Sequence, residues 1–336
     1  MENKKIIFTA PWQVEVETEQ RSSFKVGNKE VLVKKKYSLI SPGTELACLS
    51  GNEGWFQMPS VPGYSSVSEI IELGEEVEGY QAGDHVFHYG DHSLYSVIST
   101  SGIFLKAPSD VPLHWVPFTR MASVAMTSIR VSNIELGDHV AVTGLGLIGN
   151  MAAQLASMQG ASVIGIDLSL NRINTAKECG IAYTLQSGST TKEEIAELTE
   201  GRGVSTLIDA TGIPSVVANG LPWVAKYGEV VLLGSPRGEF QGNITDLLNY
   251  IHLDGYGCIT FKGAHEWRYP VEPDVFVKHS LARNSQIIFD LLRRKQLKIE
   301  PLISHILKPE QAVQAYEGLR NDKDHYQGVL FDWSEV

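Results

Sequence analysis

The segment that most restricts the fold of this chain is a glycine-rich turn, Gly144-Leu145-Gly146-Leu147-Ile148-Gly149. The apolar run His139–Thr143 precedes it, and a helical pattern over Gly149–Met158 follows it. Strand, GxGxxG and helix in that order are typical of the first unit of a Rossmann fold, where a dinucleotide places its pyrophosphate. The sequence therefore predicts a nucleotide-binding domain with a doubly wound parallel sheet.

Each position of this turn has a chemical reason. Gly144 permits the tight turn, Gly146 lets a pyrophosphate approach the backbone, and Gly149 lets the helix pack closely against the strand. The N-terminus of the helix offers free amides, and we expect Leu147 and Ile148, which lead into it, to bind the cofactor as well. Together with the helix dipole, the free amides favour binding of the phosphates.

A carboxylate, Asp167, ends the next predicted strand, Ser162–Asp167. It lies close to the expected position, ~20 residues beyond the glycines, for the acid that accepts the ribose hydroxyls of NAD. The same charge would repel the 2′-phosphate of NADP, so we expect NAD as the cofactor. Arg172 could meet that phosphate, which leaves NADP open. Without a nucleotide, the pattern would be an ordinary glycine turn with Asp167 as a helix cap.

Strands and helices continue to alternate beyond Asp167, as a parallel sheet requires. By the switch-point rule the ends of the later strands face the same crevice. We therefore expect Thr211, Gly234 and Ser235 to border the nicotinamide half of the cofactor. The further predicted elements are strands Thr206–Ala210 and Glu229–Gly234 and helices Asn171–Glu178, Thr191–Thr199 and Pro214–Val224.

Two other regions flank this one. To about Ser109, short runs rich in Val, Ile, Thr and Tyr, punctuated by Gly and Pro, predict strands of an antiparallel, barrel-like domain. From about Phe261, a helix, a strand, a helix and a strand follow, which periodicity alone does not assign to a domain. The predicted elements are Glu30–Lys36, Ser66–Leu73, Gly83–His88 and Leu94–Ile98, then Ser285–Lys295, Leu302–Ile306, Pro309–Leu319 and Gly328–Trp333.

Composition excludes several classes of protein. The three cysteines, Cys48, Cys179 and Cys258, form no CxxC pair, which rules out a disulfide framework and a four-cysteine zinc site. A net charge of −11 argues against nucleic-acid binding, because an acidic surface repels phosphates. No stretch has the pattern of a signal peptide or a membrane span, so we expect a cytoplasmic protein with a small-molecule substrate.

Several motifs resemble those of the medium-chain dehydrogenase/reductase superfamily over essentially the whole chain. Two of them, the stretches 41–45 and 62–67, look most like the zinc-free branch that contains bacteriochlorophyllide hydroxyethyl dehydrogenase. Besides the glycine turn, the matching stretches are Ser41-Pro42-Gly43-Thr44-Glu45, Pro62-Gly63-Tyr64-Ser65-Ser66-Val67, Gly83-Asp84-His85-Val86 and Pro301-Leu302-Ile303-Ser304-His305.

The resemblance implies an α/β architecture with a GroES-like β-barrel catalytic domain at residues 1–112. A Rossmann NAD-binding domain at 113–262 and a C-terminal return to the catalytic domain at 263–336 would follow. It also implies a homodimer or homotetramer.

The resemblance also bears on metal content. Zinc-dependent members carry a cysteine ligand where this chain has Pro42, and a histidine ligand where it has Tyr64. Zinc needs about three protein ligands, so we expect no zinc. A rival metal site would use His85, His88 and His92 with Asp91. His85 and His88 have opposite parity on a strand and should point apart, which argues against that site.

Without a metal, hydrogen-bond donors and a general acid or base must handle the hydroxyl of the substrate. The resemblance places Thr44 at the proton-relay position and Tyr64 at a former ligand position. His88 and His92 follow on the strand that leads to the substrate loop, and either could titrate near neutral pH. We therefore expect a catalytic role for Tyr64, Thr44, His88 and His92, in that order; each could instead be a packing or structural residue. Glu45 could simply be a structural partner.

Two aromatic and polar stretches are candidate substrate walls. One contains His265, Trp267 and Arg268, and the other contains Trp55 and Phe56. Aromatic platforms with charged partners suit a hydroxyl-rich ligand. The alternative is ordinary packing.

These residues favour an NAD-dependent enzyme that transfers a hydride between a secondary alcohol and nicotinamide. The alcohol would be a polyol, a cyclitol or a sugar-like compound. The alternatives are an NADPH-dependent quinone or enone reductase, and a non-catalytic NAD(H)-binding sensor.

Overall fold

The computed structural model describes residues 1–336 and contains three β-sheets. The elements, in chain order, are β1 (Glu2–Ala10), β2 (Gln13–Gln20), β3 (Glu30–Leu39), α1 (Pro42–Leu49), β4 (Ser66–Leu73), β5 (His85–His88), β6 (Tyr95–Ser99), β7 (Phe104–Lys106), α2 (Phe118–Val131), β8 (His139–Thr143), α3 (Leu147–Met158), β9 (Ser162–Asp167), α4 (Leu170–Glu178), β10 (Tyr183–Gln186), α5 (Thr191–Leu198), β11 (Val204–Asp209), α6 (Pro214–Gly220), β12 (Val224–Leu232), α7 (Ile244–His252), β13 (Thr260–Gly263), α8 (Leu281–Arg293), β14 (Ile303–Leu307), α9 (Ala312–Asn321) and β15 (Gly328–Asp332).

The chain divides into two units. The first comprises Met1–Arg120, Val271–Pro273 and Ser280–Val336, and the second comprises Met121–Pro270 and Asp274–His279. Our sequence-based boundaries at 112 and 262 each fall a few residues earlier. Residues 113–120 therefore belong to the first unit, and residues 263–270 and 274–279 of the expected C-terminal return belong to the second.

The first unit is built on a seven-stranded sheet of order β14-β15-β3-β4-β5-β7, with β6 also paired to β3. Strand β3 is central, pairing antiparallel with β4, β6 and β15. Val31 and Val33 of β3 and Ile70 of β4 are fully buried in one core cluster. Strands β3 and β4 coincide with short predicted runs rich in β-branched residues, which is why this GroES-like domain was predictable from its sequence.

A second core of the first unit lies beneath an additional hairpin that the sequence analysis did not predict. Strands β1 and β2 pair antiparallel, and Ile6 and Phe8 of β1 are fully buried. Tyr316 of α9 and Trp333 pack in the same cluster. The C-terminal region therefore completes the first unit.

The second unit contains a six-stranded sheet of order β10-β9-β8-β11-β12-β13, in which every pair is parallel. The predicted strands β8 and β9 have the bounds that we expected. Elements β10, α7 and β13 were not predicted, because each is short or lies largely at the surface. The doubly wound Rossmann-like sheet is confirmed, and the point where strand order reverses lies between β8 and β11.

None of the helices is both long and apolar enough to cross a membrane.

Candidate active site and cofactor turn

The glycine turn joins β8 to α3 in the second unit. Gly144 has φ +84°, in the left-handed region that favours glycine. A Cβ on Gly149 would lie 1.7 Å from the carbonyl oxygen of Gly144, so only glycine fits there. A Cβ on Gly146 would come no nearer than 3.9 Å to any neighbour, the Nη1 of Arg172. The backbone at Gly146 is thus open to a ligand, while Gly149 is closed by packing.

This geometry fits a dinucleotide. Gly146 is the N-cap of α3, and the amides of Leu147 and Ile148 begin that helix. They have no acceptor four residues back, because the chain turns at Gly144. An open backbone next to a helix N-terminus is the arrangement that accepts a pyrophosphate.

Asp167 ends β9 and is 7% exposed. Its Oδ2 accepts a hydrogen bond from the amide of Leu145 at 2.6 Å, and its Oδ1 accepts one from the amide of Ser169 at 2.9 Å. The Nη1 of Arg172 lies 3.7 Å from Oδ2. The carboxylate predicted to meet the adenosine ribose and the arginine predicted to meet a phosphate thus lie together beside the glycine turn.

The ends of β11 and β12 contact each other closely. A Cβ on Gly234 would lie 2.3 Å from the amide nitrogen of Gly212, and one on Gly212 would lie 2.3 Å from the carbonyl oxygen of Ser235. Thr211 donates through Oγ1 to Asp209 Oδ1 at 2.6 Å. The structure therefore brings Thr211, Gly234 and Ser235 together at the carboxyl ends of two adjacent strands.

Tyr64 lies in the first unit, just before β4, and is partly buried. Its hydroxyl donates to Oγ of Ser41, the N-cap residue of α1, and it also has a hydrogen bond with Thr44. Burial raises the pKa of Tyr64 to about 12, although its two hydrogen bonds and the charge of Arg120 act in the opposite direction. At neutral pH the phenol is therefore protonated and able to donate a hydrogen bond.

Arg120 lies next to Tyr64, and the sequence analysis did not single it out. Its guanidinium carbon is 5.0 Å from the centroid of the Tyr64 ring and 3.6 Å from that of Tyr89. Only 6% of its surface is exposed. No sequence signal marks this arginine, because it lies on α2, far along the chain from both tyrosines.

Glu45 lies behind the same helix turn and is 2% exposed. Its carboxylate accepts hydrogen bonds from the amide of Ser41 at 2.8 Å, from the Tyr316 hydroxyl at 2.6 Å and from Nε2 of His92 at 3.0 Å. Three partners satisfy the hydrogen-bonding capacity of this buried carboxylate, as a structural group requires. The expectation of a structural partner thus agrees with its contacts.

His92 is fully buried, with Nδ1 2.8 Å from Oγ of Ser38, which also accepts a hydrogen bond from Trp333 Nε1. His88 is fully buried too; its Nε2 is 2.8 Å from Oγ of Ser68. Burial and the nearby Lys35 charge hold the pKa of His88 well below its usual value. We had expected both imidazoles to reach a substrate. The structure instead encloses them in the barrel, because their polar partners lie on its inner strands.

Lys35 is a buried cation near His88. It has no exposed surface, and its Nζ donates to Ser66 Oγ at 2.9 Å and to the carbonyl oxygen of Asp91. Burial lowers the pKa of Lys35 to about 8, against a smaller opposing effect of the Asp91 charge. The sequence did not indicate that one of three consecutive lysines would point inward.

The donor set around Tyr64 does not fit a zinc ion. The residues in question are Ser41, Thr44, Glu45, Tyr64 and Ser65, and both oxygens of Glu45 are already engaged. Ser65 donates to the carbonyl oxygen of Pro117. No group of three or more His, Cys, Asp or Glu side chains is placed to hold a metal. This includes the rival set His85, His88, His92 and Asp91.

The candidate substrate walls lie in different units. In the first, Trp55 is 65% exposed and donates through Nε1 to Glu53, while Phe56 packs edge-on against Phe8. Phe56 is thus mainly a packing residue. In the second unit, His265, Trp267 and Arg268 are all exposed in a short helical turn. The prediction that these residues contact a substrate remains a prediction.

Comparison with known proteins agrees with this architecture. Residues 27–104 match the family model described as alcohol dehydrogenase GroES-like domain, and residues 148–272 match that described as zinc-binding dehydrogenase. L-threonine 3-dehydrogenase of Pyrococcus furiosus is 26% identical to the chain, over 89% of the chain and 90% of that protein. D-guloside 3-dehydrogenase of Escherichia coli strain K12 is 28% identical, over 78% of the chain and 73% of that protein.

The solved structures agree as well. Galactitol-1-phosphate dehydrogenase from Escherichia coli superposes with a TM-score of 0.83 at 20% identity, over 98% of this chain and 99% of that one. That likeness shows the shared fold. The two family matches together cover more than half of the chain, and they define an NAD(P)-dependent dehydrogenase with a GroES-like and a Rossmann-like domain. Both family models indicate the zinc-type medium-chain dehydrogenase/reductase superfamily.

Proposed function

We propose that this dehydrogenase oxidises a secondary alcohol of the polyol, cyclitol or sugar-like kind to a ketone, with NAD and without zinc. The observation that carries the proposal is the phenol of Tyr64, hydrogen-bonded to Ser41 and Thr44 at the place where zinc-dependent relatives have a histidine ligand. A metal-free site needs such a donor for the developing oxyanion.

The cofactor and the protein would carry out different parts of the reaction, hydride transfer and proton transfer. Bound NAD would accept the hydride, with its two electrons, from the carbinol carbon. In its phenolate form, Tyr64 would accept the hydroxyl proton of the substrate and then, as a phenol, donate a hydrogen bond to the carbonyl oxygen that forms. Thr44 and Ser41, both in contact with the phenol, would pass that proton on. The products are the ketone, the reduced cofactor and one proton.

The choice of NAD depends on Asp167. Its buried carboxylate lies beside the open backbone at Gly146, where a 2′-phosphate would meet a negative charge. Arg172 lies 3.7 Å from that carboxylate and favours the second candidate function, an NADPH-dependent quinone or enone reductase. Asp167 is the more buried and more constrained of the two, so we favour NAD.

The substrate class is supported by relatives and by exposed side chains. D-guloside 3-dehydrogenase and L-threonine 3-dehydrogenase are each named for oxidation at a hydroxyl-bearing carbon. Trp55 in the first unit, and His265 and Trp267 in the second, are exposed groups of the kind that bind hydroxyl-rich ligands.

Zinc independence is supported by the donor set. Pro42 offers no side-chain ligand, Tyr64 already donates to Ser41, and both oxygens of Glu45 are occupied by protein donors. The resemblance of the SPGTE and PGYSSV stretches to the zinc-free branch points the same way.

For assembly we propose a homodimer or homotetramer. Strand β13 lies at the edge of the second unit's sheet with one side unpaired, and Val275 and Phe276 in the same unit are each 92% exposed. An open edge and exposed apolar groups favour a second copy as partner. We propose a cytoplasmic location, which agrees with three cysteines that form no disulfide.

The test is a substrate screen on metal-analysed protein. Purified protein is treated with a chelator, its zinc content is measured, and polyols, cyclitols and glycosides are offered with NAD⁺ or NADP⁺. We expect NAD-linked oxidation that the chelator does not reduce. Activity that disappears with the chelator and returns with zinc would overturn metal independence. Preference for NADPH and enones would favour the reductase, and cofactor binding with no turnover would favour a sensor.

A further inference from the structure

Arg120 is a buried cation that the proposed chemistry does not yet use. It belongs to the first unit and lies at the start of α2, whereas Tyr64 precedes β4 and Tyr89 follows β5. Its guanidinium lies against the Tyr89 ring, 3.6 Å from the centroid, and 5.0 Å from the Tyr64 centroid. Burying a charge is unfavourable unless the surroundings compensate it. The Tyr89 ring, in contact with the guanidinium, supplies part of that compensation.

The stack on Tyr89 fixes the position of the charge. A guanidinium prefers to lie flat on an aromatic face, and partial desolvation strengthens the interaction. Because Arg is protonated at every accessible pH, the stack holds a permanent positive charge near Tyr64.

The groups that face Tyr64 set its charge balance. From α1 these are Ser41, Thr44 and Glu45, and from α2 the facing group is Arg120. The negative charge of Glu45 disfavours the phenolate, but that charge is already engaged by three hydrogen-bond donors. Arg120 is the one positive charge among these neighbours, and it favours the phenolate.

We infer that Arg120 is a positioning residue for Tyr64, holding a positive charge that stabilises negative charge on the phenol oxygen as the substrate proton is transferred. The inference rests on the proposed function of Tyr64. It gives the chain a fixed guanidinium for the electrostatic work that a metal ion performs in zinc-dependent enzymes. It also assigns Tyr89 the role of holding Arg120 in place.

The first test measures the phenol directly and does not depend on turnover. The protein is labelled with 3-fluorotyrosine, which lowers the phenol pKa into an accessible range, and the fluorine resonance of Tyr64 is assigned by its loss in Tyr64→Phe. We expect Arg120→Met to raise the pH at which this resonance titrates by about one unit, and Arg120→Lys to raise it less. An identical titration in wild type and Arg120→Met would overturn the inference.

The second test uses the pH profile of turnover. In Arg120→Met we expect kcat/KM for alcohol oxidation at pH 8 to fall about 10-fold, with the rising alkaline limb moved to higher pH. Arg120→Lys should recover part of the loss, and adding Arg120→Met to Tyr64→Phe should cost little more. A uniform fall at every pH, with the limb unmoved, would mean a structural role only. If Arg120→Met fails to fold, Arg120→Lys alone tests the inference. An alkaline limb at higher pH in that variant supports it, and an unmoved limb overturns it.

The matched control is Arg320→Met. Arg320 also stacks on an aromatic ring of the first unit, 3.7 Å from the centroid of Trp12, but it has no contact with Tyr64. Both readouts should match wild type in this variant; if they shift as in Arg120→Met, the effect is not specific to Tyr64. If the fluorine titration moves in Arg120→Met but the protein shows no turnover, the proposed function fails while the effect of Arg120 on Tyr64 holds.

Discussion

The amide of Leu145 donates to Oδ2 of Asp167 at 2.6 Å, so the acid expected to hold the ribose also supports the glycine turn. The other oxygen of Asp167 accepts from the amide of Ser169, at the start of α4. One buried side chain thus links the two backbone segments that would surround the adenosine. Cofactor preference and local stability should therefore change together when it is altered.

Asp167→Asn tests this coupling. The amide keeps one acceptor and loses the charge, so the repulsion of a 2′-phosphate falls while one backbone donor loses its partner. We expect the ratio of kcat/KM for NAD⁺ over NADP⁺ to fall at least ~10-fold, and the free energy of unfolding to fall by about 1–3 kcal/mol. Cofactor kinetics and denaturant unfolding measure the two effects.

Arg172→Met is the matched variant, since it should weaken NADP⁺ more than NAD⁺ and leave the Leu145 contact intact. An unchanged cofactor ratio in Asp167→Asn would contradict the assignment of Asp167.

The glycine turn allows binding to be separated from folding. A Cβ on Gly146 meets nothing nearer than 3.9 Å, so Gly146→Ala should fold normally yet obstruct the pyrophosphate, weakening NADH binding at least ~10-fold. A Cβ on Gly149 would lie 1.7 Å from a carbonyl oxygen, so Gly149→Ala should lower the melting temperature markedly. Calorimetry with NADH and thermal unfolding are the measurements.

Gly255→Ala is the control in the same unit, because no atom lies within 4 Å of its Cβ position. It should alter neither quantity. Full NADH affinity in Gly146→Ala would show that the dinucleotide does not rest on this turn.

Tyr64→Phe tests the catalytic assignment. The phenol pKa of about 12 means that the phenolate fraction rises tenfold per pH unit across the neutral range. We expect kcat/KM for alcohol oxidation to increase with pH in wild type. The variant should lose that slope and at least ~10-fold of the rate at pH 8, within the range for lost acid–base or oxyanion assistance.

Stopped assays at several pH values, with NADH binding as a control for the folded second unit, supply the data. Unchanged kinetics would reduce Tyr64 to a packing residue.

Lys35 predicts a pH dependence of stability. Its folded-state pKa of about 8 lies below the ordinary value of 10.5, so between these values the unfolded chain binds more protons than the folded one. The free energy of unfolding should therefore gain a contribution as pH rises from 8 to 10.5, and this contribution is absent below pH 8. The full effect is on the order of 3 kcal/mol.

Lys35→Met should remove this rise, and denaturant unfolding of both proteins at pH 7.5, 9 and 10 would show the difference. Lys34→Met, at a neighbouring position with partial exposure, should keep it. If the free energy of unfolding depends on pH in the same way in wild type and in Lys35→Met, Lys35 titrates normally.

The sequence by itself determined the Rossmann-like unit and the location of its cofactor turn. Local constraints govern both features: Gly144 needs a positive φ, Gly149 needs zero side-chain volume, and parallel strands buried on both faces are continuous apolar runs. The barrel strands were predictable from local composition too, since they are short runs rich in β-branched residues between glycines and prolines.

Tertiary structure decided which polar residues face each other in the first unit. Arg120 meets Tyr64 and Tyr89, and Glu45 meets Tyr316, only because α2 and α9 fold back onto distant strands. His88 and His92, candidates from the sequence for reaching a substrate, are likewise enclosed by distant partners, Ser68 for the first and Ser38 and Glu45 for the second. Burial and partnership arise from contacts between residues far apart in the chain, and no local pattern encodes them.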